Sequence, residues 1–102
     1  MSSIFLTGGT GFLGSYVVHE LLERSDRSVV LMVRGRDDAH RLQKVWTALS
    51  WHLSPEAFRA VRDRIRIVNG DLHAPGLGLS SADRAHVLDE VDSVLHIAAS
   101  LN

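Results

Sequence analysis

The segment Thr7-Gly8-Gly9-Thr10-Gly11-Phe12-Leu13-Gly14 constrains this chain more than any other. The apolar run Ile4-Phe5-Leu6 leads into it. Beyond it Leu13, Val17, Val18, Leu21 and Leu22 recur at helical spacing, with His19, Glu20, Glu23 and Arg24 largely on the opposite side. The spacing predicts a strand, a tight glycine turn and an amphipathic helix packed on a sheet. Gly9 to Gly14 fits G-x-G-x-x-G, and Gly8, Gly11 and Gly14 fit T-G-x-x-G-x-x-G. Between a strand and a helix this pattern has a mechanism. The early glycines permit backbone angles and a close approach that a Cβ would block, so backbone N–H groups can face a pyrophosphate. Gly14 lets the helix lie close to the sheet, and the helix N-terminus adds about half a positive charge. The alternative is a tight turn that needs glycine and holds no ligand.

Ser25-Asp26-Arg27 is a polar connector, and Val29 to Val33 is apolar at every position, as expected of a parallel strand covered on both faces. Arg34-Gly35-Arg36-Asp37-Asp38 breaks that strand and places two carboxylates at the start of a helix running to about Leu53 through Ala39, Leu42, Val45, Trp46 and Leu49. Ser54 caps a short helix with Pro55 at its first position. Ile65 to Val68 forms a third strand, ended by Asn69-Gly70-Asp71. Ser81 caps a helix through Ala85, Val87 and Leu88, and Val94 to Ala99 forms a fourth strand. Strands alternating with helices predict an α/β fold: one domain, 1–102, forming the N-terminal portion of a Rossmann-like doubly wound parallel sheet, with strand order 3-2-1-4. The fourth strand has an unpaired apolar edge in this scheme, so self-association through it is expected.

Composition excludes other classes. The 102 residues suffice for one core, and a net charge of -1 supplies no field for nucleic acid or an anionic membrane. The absence of cysteine removes disulfides, zinc–thiolate sites and thiol nucleophiles and suits a reducing, cytoplasmic setting. No apolar run approaches the roughly 20 residues of a membrane span, and no basic segment precedes Ile4 as in a secretory signal. The six histidines show no paired spacing suited to a metal; His96 is expected as a hydrogen-bonded core residue, and Trp46 and Trp51 as packing residues.

A dinucleotide with a free 2′-hydroxyl is usually held by a carboxylate about 20 residues past the glycines. Arg34 stands there instead. A guanidinium can bind a 2′-phosphate bidentately and stack on adenine, which favours NADP(H) over NAD(H). Arg36 and Arg41 are near enough in sequence to add a second cation. Alternatively these arginines are solvated and paired with Asp37 and Asp38, the residues that keep NAD(H) open. Asp71 can accept from the adenine amino group while Leu72 covers the ring, or Asp71 can simply form the turn. The small residues Ala98, Ala99 and Ser100 at the carboxyl edge of the sheet admit a nicotinamide ribose or serve strand packing.

The glycine segment, Leu31-Met32-Val33-Arg34, Gly70-Asp71-Leu72 and His96-Ile97-Ala98-Ala99 together resemble the extended short-chain dehydrogenase/reductase superfamily. Within it the chain is most similar to thioester reductase domains, the group of carboxylic acid reductases and fatty acyl-CoA reductases. Gly11-Phe12-Leu13-Gly14, Val33-Arg34 with Arg41-Leu42, and Gly70-Asp71-Leu72 with Leu77-Gly78-Leu79-Ser80 carry that likeness. The resemblance implies pyrophosphate binding by Gly8 to Leu13, 2′-phosphate binding by Arg34 with Arg41, adenine binding by Asp71 and Leu72, and a ribose contact at Ala98 to Ser100. Ile97 departs from the polar residue many members carry after the histidine. The resemblance further implies hydride transfer to a thioester of coenzyme A or an acyl carrier, yielding an aldehyde or alcohol.

Members of this superfamily use a tyrosine and a lysine four residues on, the lysine lowering the tyrosine pKa. Here Tyr16 is followed at that spacing by Glu20, and Lys44 is preceded by His40. No catalytic residue is therefore assigned. Tyr16 is expected on a helix surface, and the chain is expected to be the inert N-terminal cofactor-binding part of a longer reductase. A non-catalytic dinucleotide-binding module and a nucleotide-sugar epimerase or dehydratase are the alternatives.

Overall fold

Four parallel strands lie in the order β3-β2-β1-β4 in the computed structural model of the chain, which describes residues 3–97. They are β1 (Ser3–Thr7), β2 (Ser28–Val33), β3 (Ile65–Asn69) and β4 (Val91–His96). The helices are α1 (Phe12–Arg24), α2 (Asp38–Leu49), α3 (Pro55–Val61) and α4 (Ser81–Glu90), with single 3-10 turns at Arg62–Arg64 and Pro75–Gly78. This is the strand order expected from the alternation of elements.

Because successive strand side chains point to opposite faces, the apolar run of β2 serves two cores. Val29, Leu31 and Val33 join Ile4, Leu6 and Ile65 beneath Val18 and Leu22 of α1 and Val45 and Leu49 of α2. Val30 and Met32 join Phe5 and Val68 on the other face, against Leu77, Leu79, Val87 and Val91. Each fully buried aliphatic side chain contributes about 1.5–3 kcal/mol, so these layers fix which ends of the strands share one edge. Among the described residues, no helix is long and apolar enough to cross a membrane.

Besides single-residue extensions of β1, β2 and β3, three boundaries differ from the sequence expectation. α2 stops at Leu49, where one carbonyl accepts from both His52 N–H and Leu53 N–H; Leu53 reaches the core through this reverse turn rather than on a longer helix. Ser80, not Ser81, caps α4, its hydroxyl accepting from Asp83 N–H at 3.1 Å. β4 begins at Val91 rather than Val94 because Val91 already pairs with Ser3, after which the register slips before Ser93 meets Ile4. The expected end of that strand, Ala98 and Ala99, lies outside the described residues, as does Ser100. Among the described residues β4 has one strand neighbour, and Val94 and Leu95 are exposed.

Arg64 ties the layers together. Its guanidinium donates to the Leu22 carbonyl at 3.0 Å, to Ser25 at 2.5 Å and to Arg27 at 2.9 Å, satisfying oxygens at the α1 C-terminus that no helical N–H reaches. Arg64→Ala is expected to cost about 2–3 kcal/mol, seen in urea as a lower midpoint at unchanged slope. Arg64→Lys should recover little, since one ammonium cannot reproduce the fork.

Candidate functional site

β1 delivers the chain to the glycine turn with its last side chain anchored. Thr7 is buried, and its Oγ1 lies 2.5 Å from His96 Nδ1 on β4. His96 is thus hydrogen bonded as expected, but it stands exposed rather than in the core. Gly8 follows at φ +76°, and a Cβ there would fall 2.0 Å from the Ile97 carbonyl oxygen. Gly14 is as restricted: its Cβ would fall 1.8 Å from Gly8 O and 2.9 Å from Gly9 Cα. The backbone that Gly14 lets α1 approach is therefore the turn itself rather than the sheet. Gly11 has room, the nearest atom to its Cβ being Gly8 O at 3.6 Å, and its N–H already donates to that oxygen.

This packing presents an uncapped helix end. Asp37, Ser54 and Ser80 each supply a side-chain oxygen to the first turn of their own helix, whereas Gly11 supplies none to α1. Phe12 and Leu13, the first helical residues, have exposed side chains, and the buried Ser15 donates its hydroxyl to Phe12 O at 3.0 Å. An anion at such a terminus gains about 0.3–1 kcal/mol from the helix dipole, besides the amide hydrogen bonds.

The carboxyl ends of β2 and β3 bring Arg34 and Asp71 together, Nη1 to Oδ2 at 4.0 Å, with the Arg34 side chain 75% exposed. An exposed pair at this distance contributes at most a few tenths of a kcal/mol, so the guanidinium is available to a stronger partner. Asp71 also forms the turn: its Oδ1 accepts from His73 N–H at 3.0 Å and its N–H donates to Leu77 O at 2.7 Å. Leu72 beside it is half-exposed. Arg41 is placed differently from Arg34. Only 11% exposed, it donates to Gly35 O at 2.9 Å and to Asp38, binding the loop after β2 to the start of α2. Arg36 is exposed.

A cleft of about 590 Å³ opens beside the turn, between Thr10, Gly11, Phe12 and Ser15 on one side and His40, Lys44 and Trp51 on the other. Trp51, expected as packing, is 84% exposed at this cleft, while Trp46 packs on Phe58 at 5.1 Å. Two contacts here escape sequence reading. Lys44 Nζ donates to the Arg34 carbonyl at 2.5 Å across ten positions. His52 Nε2 meets Ser15 Oγ at 3.2 Å across 37 positions, and since that hydroxyl spends its proton on Phe12, the imidazole is the donor. The one available signal was helical spacing: His40 and Lys44 are four apart and share a face of α2. Away from the cleft, a hydrogen bond from Arg24 holds the exposed Glu20 carboxyl below the usual carboxylate range and raises Arg24 in turn.

A cradle that any Cβ at Gly8 or Gly14 would fill, at an uncapped helix terminus on the carboxyl edge of a parallel sheet, fits a dinucleotide pyrophosphate. Residues 6–102 match the NAD-binding family described as male sterility protein. The chain belongs to this family. Among relatives, fatty acyl-CoA reductase wat of Drosophila melanogaster is 32% identical over 102 residues, covering 96% of this chain and 20% of the fly protein. The L-2-aminoadipate reductase large subunit of Penicillium chrysogenum is 35% identical over 100 residues, 95% of this chain and 7% of that protein. Among solved structures, the terminal R domain from the myxalamid PKS-NRPS biosynthetic pathway superposes with TM-score 0.85 at 34% identity, covering all of this chain and 26% of that one. The reductase domain of a nonribosomal peptide synthetase from Mycobacterium tuberculosis gives 0.83 at 31% identity, covering all of this chain and 25% of that one. The chain thus spans a fifth or less of these curated relatives and about a quarter of the solved domains. The chain's similarity to fatty acyl-CoA reductases and peptide synthetase reductase domains agrees with the resemblance carried by the glycine, Val33-Arg34 and Gly70-Asp71-Leu72 motifs.

Proposed function

We propose that the chain is the NADP(H)-binding portion of an oxidoreductase that reduces an acyl thioester, of coenzyme A or an acyl carrier, to an aldehyde or alcohol. The observation that carries this reading is the juxtaposition of the open α1 terminus with an exposed, weakly paired arginine at the end of β2. The amides from Gly8 through Gly9, Thr10, Gly11, Phe12 and Leu13 surround the pyrophosphate, while Gly14 keeps α1 seated on the turn. Arg34 takes the 2′-phosphate, with Arg41 holding the loop that presents it. Asp71 and Leu72 flank the adenine, and Ala98, Ala99 and Ser100 border the nicotinamide ribose. NADPH, when bound, supplies the hydride. The thioester reading draws on the reductase relatives, which also disfavour the epimerase alternative.

Lacking a Tyr-x-x-x-Lys pair, the chain alone should bind cofactor without turnover. Titration with NADPH, followed by quenching of the exposed Trp51, is expected to saturate, with no NADPH consumed when a long-chain acyl-CoA is added. Absence of saturable binding, or turnover by the chain itself, would contradict the assignment. In isolation the open β4 edge should promote self-association; a monomer in sedimentation at all concentrations would count against it.

A further inference from the structure

We propose that Lys44 is the second cation of the 2′-phosphate site, the place that sequence proximity offers to Arg41. The proposal rests on the NADP(H) reading and adds to it a specificity-determining residue. Arg41 has its guanidinium nearly buried and spent on Gly35 O and Asp38. Recruiting it to a ligand would dismantle the loop that follows β2. Lys44 is exposed on α2, and its ammonium is held at 2.5 Å from the backbone carbonyl of Arg34, the residue whose guanidinium selects the cofactor. That bond uses one of three ammonium donors, leaving two for a ligand.

The surroundings suit a dianion. Lys44 lines the cleft together with Thr10 and Gly11 of the glycine turn and His40 one helical turn back, and among the described residues none that lines this cleft carries a carboxylate. Arg41 instead borders a separate cavity of about 520 Å³ that it shares with Asp38, Arg62, Asp63 and Arg66, and none of the described residues lining it belongs to the glycine turn. The Arg34 guanidinium lies toward Asp71 rather than among the residues lining this cleft, but its weak pairing leaves it free to turn to a phosphate beside the exposed Thr10, where the second cation at hand is a lysine rather than an arginine. Charge-assisted hydrogen bonds of this kind are about twice as strong as neutral ones.

The test is equilibrium titration of the chain with NADPH and NADH for wild type, Lys44→Met, Lys44→Arg and Arg34→Ala. Lys44 is on the surface, so its substitution should leave the fold intact. Lys44→Met is expected to weaken NADPH binding about tenfold and NADH binding by less than about twofold, with Lys44→Arg restoring most of the difference. A merely structural lysine would weaken both cofactors alike, and that result, or an unchanged NADPH-to-NADH ratio in Lys44→Met, would overturn the proposal. If wild type prefers NADPH and Arg34→Ala removes the preference while Lys44→Met does not, Lys44 fails and the NADP(H) reading stands. Equal wild-type affinities would end both.

Discussion

Replacing Arg34 with alanine is expected to erase the chain's preference for NADPH over NADH while leaving NADH binding nearly unchanged. A guanidinium hydrogen bonded to phosphate contributes about 1.5–3 kcal/mol, so the NADPH Kd should rise about tenfold to a hundredfold. The change should be confined to the cofactor. Arg34 is 75% exposed and its recorded ion-pair partner is Asp71 at 4.0 Å, so the substitution removes no packed side chain and the unfolding midpoint should stay where it was. Conversely, Asp71→Asn takes away a charge that competes with the 2′-phosphate, while its amide oxygen can still accept from His73 N–H. Binding of NADPH should then tighten slightly rather than weaken. Parallel titrations with both cofactors read these effects, and a wild-type chain that binds the two equally would contradict the role given to Arg34.

Gly14→Ala is expected to damage binding of both cofactors together. Its new methyl would stand 1.8 Å from Gly8 O and 2.7 Å from Gly8 C, backbone atoms that cannot rotate away as a side chain would. Either α1 lifts from the turn or the turn is pushed off the end of β1, where the Gly8 position is already bounded by Ile97 O. Overpacking of this kind costs about 1–3 kcal/mol of stability. Any movement of the α1 terminus also misaligns the amides that would surround a pyrophosphate, a moiety NADPH and NADH share. Gly11→Ala is the internal control for stability. Its Cβ would meet nothing closer than 3.6 Å, its φ is -78°, and loss of a glycine N-cap costs no more than about 1 kcal/mol. Urea unfolding of the two variants should therefore separate widely; equal midpoints would mean that α1 is not seated on the turn.

The architecture was legible where one residue pattern had one physical solution. A five-residue apolar run such as Val29 to Val33 can bury both sets of side chains only between two helical layers, and Ser54-Pro55 has the chemistry of a helix start wherever it occurs. Boundaries were misread where a tertiary partner decided them. Leu53 falls on the period of α2 yet is brought against the core, partly buried, by a reverse turn, and the polar start of β4, Val91-Asp92-Ser93, is a strand because β1 pairs with it. The site shows the same division. Gly8 and Gly14 announce a restricted backbone by their spacing, and Arg34 stands out by replacing the expected carboxylate. Arg41 was ambiguous because nearness in sequence does not say which way a helical side chain points, although Asp38 three residues before it was a readable partner. Lys44 beneath Arg34 and His52 against Ser15 come together only when α2 docks beside α1.

Backbone amide chemical shifts of the uniformly labelled chain, recorded during titration with NADPH and then with NADH, test the central claim most directly. The account predicts that amides from Gly9 to Leu13 shift with either cofactor, whereas those around Arg34 and Lys44 respond strongly to NADPH and weakly to NADH. Saturable binding with the Gly9 to Leu13 amides unmoved would contradict it.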